Sequence, residues 1–274
     1  MFGRSGSRWS GVGFRVAGTL AVLALTITVG ACTSDADTTK ATTTTTSSPA
    51  ATTDPSSTTA VSDLTPTILD ILAGGTQPFG DMMPGSYSLD PDLDPSTPVQ
   101  VTFEVPASGW KTWIGAAKFS DAGHVGVSIT TVSNLVGNGC RDHLGADPPV
   151  GPSVDDLATA LADLAPFRVT SPPEDVSIYG YSGQHLELTV PNLAVSDNVF
   201  TGCEDGKLMS WIGAIDTTPG DAYYGYTGPA YTEEFWLLDV DGDRLMIAAE
   251  QSPGSPPKDI EELRDILHSI QIET

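Results

Sequence analysis

Basic residues are scarce in this chain: 12 Lys and Arg stand against 35 Asp and Glu, a formal charge of −23 at neutral pH. Nucleic-acid binders gain affinity by replacing condensed cations with Lys and Arg, so this balance excludes a nucleic-acid role. It equally excludes attachment to anionic lipid through a basic patch. Cysteine is sparse as well, with only Cys32, Cys140 and Cys203. Long apolar runs are missing. The longest near the N-terminus, Val16 to Val29, covers about 14 residues, too few to cross a hydrocarbon core as a helix. Arg4, Arg8 and Arg15 precede or border this run, and no acidic residue occurs before Asp35. A basic start followed by a short apolar stretch predicts an export signal.

Small residues close the run and a cysteine follows at once. Val29-Gly30-Ala31-Cys32 resembles the lipobox of bacterial lipoproteins. The resemblance implies cleavage before Cys32, a diacylglyceryl thioether on its sulfur, and a mature chain anchored in the cell membrane on its extracytoplasmic face. Residues 1–31 are then a lipoprotein signal peptide. Residues 32–62 are almost entirely Thr, Ser, Ala, Pro and Asp, including Thr42 to Thr46. Without apolar periodicity they cannot bury a core, which predicts a disordered tether. The remaining 63–274 are long enough to enclose a core as a single domain, and they hold no internal repeat.

Alternation of apolar and polar residues predicts strands in this part. Val99, Val101, Phe103 and Val105 share one face, and Leu186-Glu187-Leu188-Thr189-Val190 alternates after a turn expected at Ser182-Gly183. His124 to Ile129, Lys207 to Ile215 and Phe235 to Val240 are further candidates. Asp241-Gly242 predicts a two-residue hairpin, because these residues tolerate positive φ. Two helices are expected. Ser153 caps the first with Asp156 three residues on, Val154, Leu157, Leu161 and Leu164 form its stripe, and Pro166 ends it. The second runs from about Pro257 to Ser269, with Glu261 and Glu262 early and His268 late, as the helix dipole prefers. The predicted class is α+β: an antiparallel sheet with two amphipathic helices packed on it.

Phe103-Glu104-Val105-Pro106 followed by Gly109-Trp110 resembles a feature of secreted actinobacterial lipoproteins of unknown function. So do Asp147 to Leu157, Leu186 to Pro191, and the closing Leu263 to Ile272. The similarity spans most of residues 85–272. It implies an envelope location and a PsbP-like α+β fold, and it carries no catalytic motif.

With Cys32 given to lipid, Cys140 and Cys203 form a pair in an oxidising compartment, where a disulfide is expected. The metal alternative uses Cys140 and His143 with Cys203 and His185, but only one half has ligand spacing. No metal or cofactor is therefore expected. Gly180-Tyr181-Ser182-Gly183 lacks the glycine spacing of a nucleophile elbow. Strand geometry also turns His185 away from Ser182. Asp239 to Asp243 misplaces the glycine of a calcium loop. No catalytic residue is assigned.

The candidate binding residues are aromatic. Tyr223, Tyr224, Tyr226 and Tyr231 crowd a Gly/Pro-interrupted segment before Trp236, and Trp110 and Trp113 bracket another expected loop. Exposed aromatics of this kind suit sugars or protein partners; the alternative is that they seal the ends of the core. The expected function is a non-catalytic, lipid-anchored binding or scaffolding domain that meets an envelope protein or glycan. An envelope hydrolase with carboxylates assembled by the fold, and a carrier of an apolar ligand, stay open as alternatives.

Overall fold

The computed structural model describes residues 65–69, 80–94, 96–213 and 223–274. The predicted signal peptide, the tether and Cys32 lie outside the described residues. All described residues fall in one compact unit.

The described residues open with β1 (Thr67–Ile68), β2 (Asp81–Met82) and β3 (Gly85–Leu89), then β4 (Gln100–Val105). There follow β5 (Trp110–Trp113), β6 (Gly115–Ser120), the 16-residue β7 (Gly123–Asn138) and β8 (Asp142–Gly145). Helix α1 (Val154–Ala162) leads into the hairpin of β9 (Arg168–Ile178) and β10 (Tyr181–Thr189). A short ribbon, β11 (Val195–Ser196) with β12 (Val199–Phe200), precedes β13 (Leu208–Gly213) and β14 (Tyr223–Tyr226). The chain closes with β15 (Thr232–Val240), β16 (Asp243–Gln251), α2 (Pro257–Ser269) and β17 (Gln271–Glu273). Strands thus dominate an α+β arrangement.

The main sheet is antiparallel throughout, in the order β2-β5-β6-β7-β16-β15-β10-β9. β7 is long enough to serve twice. Its first half pairs with β6 and β16, and its second half carries β8 on one side and β13 on the other, with β14 beyond β13. A smaller sheet, β1-β3-β4-β17, stands apart.

Alternation sends successive side chains of the central strands to opposite faces, and both faces are covered. Met246 and Ala248 with Phe235 and Leu237 join one core, which includes Leu157 and Leu161 of α1. Leu245, Ile247, Ala249, Leu238 and Val240 join the other, with Leu263, Ile266 and Leu267 of α2 and Val101, Phe103 and Val105 of β4. The two helices therefore lie on opposite faces of one sheet.

Local signals act as expected at several points. Ser153 and Asp156 form a reciprocal capping box, and α2 starts with proline in its first turn. Asp241 (φ 54°) and Gly242 (φ 97°) make the β15–β16 hairpin. One turn is displaced. Ser182 is paired inside β10, and the β9–β10 hairpin turns three residues earlier, at Tyr179 (φ 56°) and Gly180 (φ 90°). Tyr179 is not a usual residue for that conformation; its hydroxyl is anchored by donating to Leu267 O at 2.8 Å. The outer edge is β9, exposed along most of its length, with Pro172 and Pro173 where the register with β10 shifts.

Cys140 and Cys203 are joined as a disulfide across 63 residues of sequence. That removes the thiolates on which the metal alternative depended, and His143 Nε2 lies 3.1 Å from Gly139 O. Gly139 is needed beside the bridge, because a Cβ there would sit 2.6 Å from Met209 O and 2.7 Å from the Phe167 ring. Among the described residues, no helix is long and apolar enough to cross a membrane.

Candidate functional site

Two carboxylates face each other across neighbouring strands. Glu233 of β15 and Glu250 of β16 are direct register partners. They share the face of Phe235, Leu237, Met246 and Ala248, so alternation turns both inward towards β14. There Tyr224 donates its hydroxyl to Glu250 Oε2, and Tyr226 donates to Glu233 Oε2. The Tyr226 hydroxyl also stands 3.0 Å from Ser210 Oγ of β13. From β7, His124 Nε2 approaches Glu250 Oε1 to 3.4 Å. Gly126 makes room for this carboxylate, since a Cβ would meet Glu250 Oε1 at 3.2 Å.

The rings form a continuous aromatic group. Trp211 stacks on Tyr224 at 4.9 Å, Tyr224 meets Tyr226 edge-on at 5.2 Å, and Phe167 lies 5.2 Å from Tyr226. On the other flank His124 meets Tyr231 edge-on at 4.9 Å and Phe119 at 5.4 Å. The Tyr231 hydroxyl is 3.0 Å from Thr227 Oγ1. Between these flanks lies a cavity of about 110 Å³. Its aromatic lining is Trp113, Phe119, Tyr224, Tyr226 and Tyr231; Ala117, Gly225 and Thr227 complete it, and His124 and Glu250 bring its ionisable groups. Trp113 and Phe119, 39% and 53% exposed, stand at the rim.

This corrects the expectation of loop-borne, exposed aromatics. Tyr223, Tyr224 and Tyr226 lie on a strand, β14, and Tyr224, Tyr226 and Tyr231 are buried. Trp110 is fully buried and donates its indole N–H to Glu262 of α2 at 3.1 Å. Of the six candidates, Trp113 alone is described as exposed; the side chain of Tyr223 lies outside the described residues. The physical reason is the acidic partner. A tyrosine hydroxyl can be buried when a carboxyl group accepts its hydrogen bond, and β15 and β16 supply one such group to each of two tyrosines. His124, Glu233 and Glu250 were not among the candidates.

Burial pushes the Glu233 carboxyl well above the usual range, and the charge of Glu250 adds to the rise against the opposing Tyr226 hydrogen bond. Burial likewise raises Tyr224 and Tyr226 far beyond an ordinary tyrosine, with Glu250 and Glu233 reinforcing it. Both tyrosines therefore stay protonated donors. Glu233 Oε1 is buried without a hydrogen-bond partner.

A pH signature follows. An unfolded Glu233 titrates near 4.5, and the folded one holds its proton to higher pH. Above 4.5 the native state thus carries the extra proton until the folded value is reached. Stability falls there with rising pH, by about 1.4 kcal/mol per unit for one group. Glu233→Gln is expected to remove that slope in urea midpoints taken from about pH 5 to pH 8. Asp90, raised to about 6 chiefly by burial, contributes equally to both proteins and cancels. Parallel pH profiles for the two would contradict this account.

A second cavity, about 490 Å³, is an open polar groove beside Asp92, Asp94, Asp243 and Arg244. Three of its charged groups are occupied. Arg244 donates to the carbonyls of Gly151, Val132 and Ser133, and Asp92 and Asp94 accept from their own loop. His185 lies elsewhere, 3.0 Å from Glu234 Oε1 and 5.2 Å from the Trp236 ring. Among the described residues no group of three or more His, Cys, Asp or Glu could hold a metal ion. Compared with known proteins, the chain matches no family model and no curated protein.

Proposed function

We propose that this chain is a lipid-anchored, non-catalytic binding domain on the extracytoplasmic face of the cell membrane, and that the cavity between β14 and the β5–β6 hairpin is its ligand site. The observation that carries the binding reading is an aromatic-walled cavity whose one carboxylate, Glu250, is held in place on both oxygens. Fixed polar groups in an apolar concavity are what ligand sites use for orientation. The anchor rests on the residues Val29 to Cys32, and the Thr-rich stretch behind them serves as the tether.

The neighbouring carboxylates favour a hydrolase as the second reading. Glycoside hydrolysis needs both acids to reach the substrate. Glu233 is 1% exposed, is engaged by Tyr226 and does not line the cavity. Binding is the better account. A cavity of about 110 Å³ is also well below the roughly 300 Å³ at which whole-ligand pockets begin, which sets aside carriage of a bulky apolar ligand there.

Native mass spectrometry of the chain purified from its own membrane tests this. The expected species begins at Cys32 with a diacylglyceryl mass and carries a small non-covalent adduct that Trp113→Ala loses. A chain beginning upstream of Cys32 overturns the anchor. Turnover of a glycoside or ester that Glu250→Gln abolishes overturns the binding reading.

A further inference from the structure

We infer that the cavity takes a methylated ammonium group, the head of a small quaternary ammonium compound such as choline. This rests on the cavity's being the ligand site and names the chemistry it selects. Size comes first, because about 110 Å³ admits a head group rather than a whole ligand. The walls come next. Aromatic rings attract a desolvated cation through their quadrupoles, and quaternary ammonium cages are built from them; here Trp113, Phe119, Tyr224 and Tyr231 supply the rings.

Hydrogen bonding decides between a cation and a sugar. The Tyr224, Tyr226 and Tyr231 hydroxyls are each engaged, with Glu250, Glu233 and Thr227 respectively. A pyranose in this space would bury hydroxyls with few free partners, which is costly. A trimethylammonium group has no N–H to satisfy and needs only ring surface and negative charge. Glu250 provides that charge at the cavity wall, where a low local dielectric strengthens it. The surplus of acidic residues over the whole chain draws cations in the same sense.

The experiment is calorimetric titration of the full chain in maltoside micelles with choline, tetramethylammonium and 3,3-dimethylbutan-1-ol, the uncharged carbon analogue of choline. Choline and tetramethylammonium are expected to bind about tenfold more tightly than the alcohol. Glu250→Gln should reduce that preference to the part the rings supply, and Trp113→Ala, at the partly exposed rim, should weaken both cations without unfolding the domain. The source of the head group is read with the Cys32→Ala chain. Flotation with phosphatidylcholine but not phosphatidylglycerol vesicles, competed by choline, assigns a lipid head, whereas binding of free choline without flotation assigns a soluble solute. Equal affinity for choline and the alcohol overturns the cation while leaving the binding reading intact. No heat from either cation, with an adduct still present in the native mass spectrum, does the same. No heat and no adduct overturn both.

Discussion

Lys118→Met is expected to lower the unfolding free energy by about 3 kcal/mol, the lower end of the range for breaking a buried ion pair. Lys118 Nζ lies 2.8 Å from Asp259 Oδ1 and 2.6 Å from Glu262 Oε2, and all three side chains are at most 15% exposed. Burial pulls the Lys118 pKa down, yet the hydrogen bonds and charges of Asp259 and Glu262 outweigh it and hold the group above its ordinary value. Trp110 spends its indole N–H on the same Glu262 oxygen. Removing the ammonium therefore leaves two acids of α2 against the sheet with no counter-charge among them. Lys258 reaches Glu262 only at 3.4 Å and is 79% exposed, so solvent screening keeps its compensation small. The remaining exposure of Lys118 is why the lower end of the range applies. Urea unfolding followed by circular dichroism reads the change as a shift in midpoint at constant slope. The triple variant Lys118→Met, Asp259→Leu, Glu262→Gln should recover most of the loss, because paired charges replaced by uncharged groups of similar size are often neutral and the glutamine oxygen still accepts from the Trp110 indole. A loss below 1 kcal/mol in the single variant would mean that water reaches the pair freely.

Removing the disulfide should cost about 4 kcal/mol, from the chain entropy of a loop closed across 63 residues. The bridge ties the end of β7 to the segment leading into β13, and the stretch it encloses contains α1, β9 and β10. Backbone hydrogen bonds repeat the junction, from Glu204 N to Cys140 O at 2.8 Å and from Met209 N to Gly139 O at 2.9 Å. These hold the two strands together in the native state but do nothing to restrict the unfolded chain, which is where a cross-link acts. For a domain of this size the loss corresponds to a fall in Tm of roughly 8–16 °C. Calorimetric scans of the Cys140→Ala, Cys203→Ala double variant would show it, and a fall under 2 °C would contradict it.

The elements legible in the sequence are those whose signals are local. The capping box of Ser153 and Asp156, the Pro257 start and the Asp241-Gly242 turn each depend on residues within four positions, and each stands where expected. The candidate site depends on register instead. Phe235 and Leu237 face the core, and the same alternation carried back two residues places Glu233 inside as well; Met246 and Ala248 do the same for Glu250. The signal was therefore present, but a carboxylate is normally a reason to stop a buried strand. Only the hydroxyls of Tyr224 and Tyr226, delivered by β14, make burial tolerable. Nothing in the spacing of residues 224 and 250 announces that meeting. The same holds for Lys118, which joins a helix more than 140 residues away and reads in sequence as an ordinary polar position.

The two prolines in β9 have a consequence beyond this domain's interior. An outermost strand normally invites a further strand to add to it, from a sister copy or a misfolded neighbour. At Pro172 and Pro173 there is no N–H to offer, the register has already slipped, and Glu174 and Asp175 follow with like charges that would stack against themselves in any self-pairing. Copies of this chain crowded together would thus find the ladder closed to growth at its midpoint, so the protein can reach high local density without seeding fibrils along this border.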